Sequence, residues 1–151
     1  MSSKLSIIED ESVLRKVSDP VTNFTDANRE FVCDLSEKMK NMRGVGIAAI
    51  QVGIPLRIFI METRTEGTLA IFNPEIISGE KREKRKEGCL SFPDKIINVN
   101  RYKRIKVRYQ DKEGNFIERS FANIEARIFQ HENDHLDGIT FLDRANGLVK
   151  K

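Results

Sequence analysis

The chain has 151 residues, with 26 basic and 23 acidic side chains and a net charge of +3. That length fits one domain with a sizeable core, the composition is that of a soluble globular protein, and the charge excess is too small to indicate nucleic acid by itself. No apolar run is long enough to span a bilayer, and the two cysteines, Cys33 and Cys89, are too few for a disulfide scaffold. Met1 to Asp10 has neither a signal-peptide core nor the Arg-rich character of a transit peptide, so a cytoplasmic protein with no removed leader is expected.

In chain order, the first readable element is a helix. Thr25 or Asp26 can cap it, Phe31, Val32, Leu35, Met39 and Met42 recur at helical spacing, and Gly44 is placed to end it. Cys33 lies off that stripe and reads as a packed or half-exposed thiol. Short strands follow at Leu56 to Glu62 and Thr68 to Phe72, the second stopped by Asn73-Pro74. Glu80 to Glu87 is an unbroken run of charged residues, five basic and three acidic, and reads as a solvated strand edge or loop. Arg104 to Gln110 alternates, with Ile105, Val107 and Tyr109 on one face. The turn Lys112 to Asn115 returns the chain as a hairpin partner over Asn115 to Phe121. A second helix begins near Asn123 as a cap, runs through Ile124, Ile128, His131 and His135, and closes at Gly138. These elements predict an α+β fold, with largely antiparallel sheets packed around a central helix, in one domain over residues 1–151.

That helix carries His131-Glu132-Asn133-Asp134-His135, an HExxH pattern containing the chain's only two histidines. Residues four apart share a helical face, so both imidazoles can reach one metal, and Glu132 beside them can serve as a base. A catalytic site of this kind needs a third protein ligand and one open position. Sixteen residues follow His135 and none is a histidine; a downstream Asp or Glu remains open, but Asp137 is too close to His135 to be an easy ligand, so the third ligand is expected upstream. Cys89, in Glu87-Gly88-Cys89-Leu90-Ser91, is the candidate; alone it would read as a core cysteine. A thiolate with two neutral imidazoles suits Fe(II) or Zn(II), and such sites lower the pKa of water toward about 7. A third segment, Gly44 to Gln51, has two glycines and small residues that let a substrate strand approach closely. Gln51 is a neutral donor for a developing oxyanion.

Together these three segments, GVGIAAIQ, EGCLS and QHENDH, resemble the signature motifs of the peptide deformylase family, in the family's order. The likeness extends to Val13 to Val17, to Phe72 to Glu75, and to Leu136 to Gly138 with Phe141 to Arg144. It implies removal of the formyl group from N-terminal formylmethionine of nascent polypeptides. Cys89, His131 and His135 would hold the metal, natively Fe(II), with Zn(II) or Ni(II) able to replace it. Glu132 would move the proton from the attacking water to the leaving amine, and Gln51 with the Leu90 N–H would hold the oxyanion. The peptide would lie as an added strand along Val45, Gly46 and Ile47 and near Glu87 and Gly88, with Arg101 near the substrate exit. Ile128 and Phe129 are candidates for the methionine pocket or for ordinary helix core.

Two departures stand out. Ile47 replaces the commoner Leu, and Arg43 stands where an acidic residue is more usual. The chain also ends soon after Arg144, so any ribosome association is expected without the longer C-terminal helix of some relatives. A monomer with no membrane or specific nucleic-acid partner is expected. Two other readings are a zinc endopeptidase of the HExxH type and a basic module binding RNA through Glu80 to Glu87 and Arg101 to Arg108.

Overall fold

The computed structural model describes residues 5–146. Expectations about the first four residues and about the end of the chain after Asn146 lie outside the described residues. The elements are α1 (Glu11–Leu14), α2 (Asp26–Asn41), β1 (Gly46–Ala48), a 3-10 turn (Ala49–Val52), β2 (Ile58–Glu62), β3 (Thr68–Cys89), β4 (Phe92–Gln110), β5 (Phe116–Ala122), α3 (Asn123–Leu136) and α4 (Phe141–Ala145). The five strands form one antiparallel sheet in the order β1-β2-β3-β4-β5. This is the α+β architecture expected. Among the described residues no helix is long and apolar enough to cross a membrane.

The core lies on both faces of β2, and its alternating pattern shows why. Ile58 and Ile60 pack toward α2 with Val32, Leu35 and Met39, while Phe59 and Met61 pack with Ile128, Phe129 and Leu136 of α3. A strand buried on both sides reads as a continuous apolar run, which Ile58-Phe59-Ile60-Met61 is. Phe129 stands edge-on to Phe59, 5.0 Å between centroids, and close to Phe121. It therefore belongs to the core and not to a substrate pocket. Ile105, Val107 and Tyr109 are buried as the alternation required.

Several boundaries differ from expectation for local reasons. Asn73-Pro74 does not stop β3; it marks a register shift between Phe72 and Glu75. Asn73 takes φ 51° and its side-chain amide replaces ladder bonds, accepting from Val21 N–H and donating to the Val21 carbonyl and Gln110. β3 and β4 then run on as a long hairpin whose far half, dominated by charged residues, carried no alternation to read. The Glu80 to Glu87 run is largely exposed as expected through Lys86, but Glu87, its last member, is buried. Thr25 caps α2 by accepting from Asn28 N–H. The left-handed residue ending α2 is Arg43 (φ 58°), not Gly44: Arg43 N–H bonds the Lys40 carbonyl and Gly44 N–H the Met39 carbonyl. Gly44 serves another need, because a Cβ there would lie 2.8 Å from the Leu90 side chain. Asn123 is the first residue of α3 and turns the chain with φ 59°; it is not the cap.

Gly138 does close α3, at φ 73°, and a Cβ there would collide with the Arg15 backbone carbonyl. That contact holds α1 against the end of α3, together with the Arg15 guanidinium, which donates to Asp143 of α4 at 2.9 and 3.0 Å. Gly138→Ala combines a left-handed penalty with a backbone collision, about 2–4 kcal/mol in all. Thermal unfolding should show Tm lowered by about 5–15 °C; an unchanged Tm would mean that this junction yields freely.

Candidate metal and hydrolytic site

The hairpin between β3 and β4 turns through Leu90 and Ser91, with Cys89 paired to Phe92. This places Cys89 at the tip, over the face of α3 that carries His131 and His135. The Cys89 Sγ and one nitrogen of each imidazole all lie within 4.8 Å of one another. Cys89 Sγ is 3.5 Å from His135 Nε2. His131 Nδ1 shares a 2.9 Å hydrogen bond with Glu87 Oε1, which leaves its other nitrogen for the cluster. Burial pushes the His135 ring well below its ordinary value, so it is the neutral imidazole that ligation needs. Burial would also lower His131, but hydrogen bonding with Cys89 and Glu87 outweighs it and holds the ring well above its usual range. The pocket thus favours a positive charge between these groups, which a divalent ion would supply. The donor set and its spacing fit a catalytic metal.

Glu132, one residue along α3, is 4% exposed, and its Oε1 has no hydrogen-bond partner among the described residues. Burial, opposed by the His131 charge, raises its carboxyl to about 7, a value suited to taking and returning a proton near neutral pH. Gly46 on β1 passes directly over it, and a Cβ there would stand 2.5 Å from Glu132 Oε2. Gly46→Ala should therefore displace the carboxylate and lower kcat/KM by about 100-fold, since misplacement on the ångström scale costs that much. Metal content and far-UV circular dichroism should stay as in the parent; full activity would show that the close approach has no catalytic meaning.

Gln51 is fixed in the 3-10 turn. Its Oε1 accepts from Ala48 N–H at 2.9 Å, and its Nε2 donates to Ser91 Oγ at 3.1 Å and reaches toward Cys89 Sγ at 3.7 Å. The first motif is thereby locked onto the second. A cleft of about 510 Å³ opens above the site, lined on one wall by Met42 to Gly46 and on the other by Lys86 to Leu90, with Ile128, His131 and Glu132 at its floor. β1 is an edge strand. The Val45 carbonyl accepts from Glu62 N–H of β2, so by antiparallel alternation the Gly46 backbone groups face the cleft side.

The expected residues do not all meet there. Val45, Gly46, Glu87, Gly88, Leu90 and Ile128 line the cleft. The Ile47 side chain does not; it is fully buried with Leu35 and Met39. Arg101 is not at a substrate exit. It is 3% exposed, and its guanidinium bonds Glu87 at 2.5 and 3.1 Å and Asp134 at 2.9 Å, beneath the Cys89, His131 and His135 cluster. The Glu87 carboxylate likewise serves the interior: burial raises its pKa, but His131 and Arg101 outweigh that and hold it at about 2. Sequence reasoning missed Arg127, which donates to Glu87 at 2.6 Å, and Arg144, which grips Asp134 at 2.8 and 2.9 Å. Arg127 had a readable signal, being a charged residue one helical turn before His131.

Comparison with known proteins agrees with this geometry. The polypeptide deformylase family model matches residues 4–151. The peptide deformylase of Thermotoga neapolitana is 44% identical over 135 residues, covering 89% of this chain and 82% of that protein. The crystal structure of the Thermotoga maritima peptide deformylase superposes with a TM-score of 0.87 at 42% identity, covering 93% of this chain and 95% of that one. The Synechococcus elongatus enzyme, solved in complex with actinonin, gives a TM-score of 0.90 at 31% identity over 94% of this chain and 79% of that one. The chain belongs to the polypeptide deformylase family.

Proposed function

We propose that this chain hydrolyses the N-formyl group of N-terminal formylmethionine on nascent polypeptides, releasing formate, and that residues 1–151 serve this as one catalytic domain. The observation that carries the reading is the convergence of Cys89, His131 and the fully buried His135, with Cys89 and His131 lining a cleft that also contains Glu132. Cys89, His131 and His135 would hold a divalent ion, Fe(II) with Zn(II) or Ni(II) as substitutes; the soft thiolate and two imidazoles support this choice. When bound, the ion supplies a Lewis acid that acidifies water and polarises the formyl oxygen.

The chain's own residues do the rest. Glu132 accepts a proton from the attacking water and returns it to the departing amine. The Gln51 Nε2 and the Leu90 backbone N–H donate to the negative charge developing on the formyl oxygen. The peptide adds as a strand on the Gly46 edge of β1, opposite Glu87 and Gly88, and Ile128 contributes to the methionine pocket. Glu87, Arg101 and Arg127 orient His131 from below. The enzyme acts as a cytoplasmic monomer on new chains.

The zinc endopeptidase reading is not favoured, given the family match and a candidate third ligand that lies upstream in Cys89. Mass spectrometry of a formylmethionyl decapeptide separates the two. Loss of the formyl mass with every peptide bond intact is expected; internal fragments from a still-formylated peptide would contradict the assignment.

A further inference from the structure

The cleft has a charge asymmetry that the reaction itself does not require. Its far end is flanked by two exposed cations, Arg43 on the wall before β1 and Lys86 on the β3 wall. Among the described residues, the carboxylates lining it are Glu87 and Glu132. Glu87 is neutralised by Arg101, Arg127 and His131, and Glu132 sits at the reacting centre. Neither therefore offsets the cations at the mouth.

Distances along the chain say which part of a substrate meets them. With the formyl end at Cys89 and Gly46, an extended peptide leaves between the two walls. Lys86 lies three strand residues before Cys89 on β3. At about 3.3 Å per strand residue this is about 10 Å, the reach of the second and third residues of an extended formylmethionyl peptide. Arg43, in the bend just ahead of β1, lines the same cleft from the other wall. Arg43 is held there by the left-handed bend that ends α2, and Gly44 closes the bend against Leu90. We infer that Arg43 and Lys86 are specificity residues that select formylmethionyl chains with an acidic side chain at the second or third position, and discriminate against basic ones. This rests on the deformylase reading above and names its preferred substrates.

The test compares kcat/KM for C-terminally amidated formyl-Met-Ala-Asp and formyl-Met-Ala-Lys peptides, and for the matching pair charged at the second residue, with metal-reconstituted protein. Amidation removes the peptide's own terminal carboxylate. Two exposed charge pairs in water should favour the acidic peptide by about 3- to 10-fold. The preference should shrink between ~0.02 M and ~0.5 M salt, because exposed charges are screened. It should invert in the Arg43→Glu, Lys86→Glu double variant. The readout is the ratio of two peptides on one protein, so a general loss of rate cancels. If the double variant fails to fold, Lys86→Gln and the salt series carry the test, with a reduced ratio expected in both. A ratio near one in the parent, or one indifferent to salt and to both substitutions, overturns the inference while leaving the deformylase reading intact. Failure to release formate from any of these peptides overturns that reading and the inference with it.

Discussion

Glu132→Gln should bind metal as the parent does and lose about 100- to 10,000-fold in kcat, the range expected when a general acid–base group is removed. The substitution keeps the shape under Gly46, where a Cβ would already be 2.5 Å from the carboxylate, so the cleft does not refill. It removes the one buried acid in the cleft that can cycle its proton: Glu87 is held at about 2 by His131 and Arg101 against the effect of burial, whereas burial lifts Glu132 to about 7. KM should change little, because Glu132 is placed for proton movement and the peptide is held by backbone on either side. Steady-state kinetics beside metal analysis checks this. Substantial residual kcat with full metal content would remove Glu132 from the proton-transfer role.

Cys89→Ser should have its effect one step earlier, on the metal. The hairpin tip is set by the Leu90-Ser91 turn and by the Gln51 to Ser91 hydrogen bond, neither of which needs the sulfur. The fold should therefore survive with the site weakened. Loss of an outer partner of a ligand costs about 10–100-fold in metal affinity, and loss of a ligand should exceed that. Competition with a chromophoric chelator measures it directly. Affinity equal to the parent would show that Cys89 is not a ligand and that His131 and His135 find their third donor elsewhere.

The parts of this site visible in the sequence were those with a period. His131 and His135 are one helical turn apart, so their shared face followed from spacing alone, and the buried alternation of Ile105, Val107 and Tyr109 followed from the strand period. Cys89 could be nominated because no later histidine exists. Its meeting with α3 depends on a hairpin whose length the charged run concealed. What the sequence could not show was the layer beneath. Arg101 was expected near the substrate exit, but it is buried between Glu87 and Asp134, which lie 14 and 33 residues away in the chain. Long-range ion pairs of this kind leave no local pattern. The same holds for Ile47, whose place in a conspicuous glycine-rich motif suggested substrate contact while its side chain packs under α2. Asn73 and Arg43 adopt left-handed backbone where a strand stop and a glycine had been expected. Side-chain hydrogen bonds decide the first and helix-end geometry the second, neither of which is fixed by residue type.

The most direct measurement is formate released from formyl-Met-Ala-Ser by protein reconstituted anaerobically with Fe(II) or Ni(II), beside a chelator-stripped sample and the Glu132→Gln variant. Rapid release by the reconstituted parent, and almost none by the other two, is the predicted result. It would make the Cys89, His131 and His135 cluster and Glu132 parts of one hydrolytic centre. No release by a parent shown to hold metal would contradict the account, because every element positioned around that cleft would then be in place without the reaction.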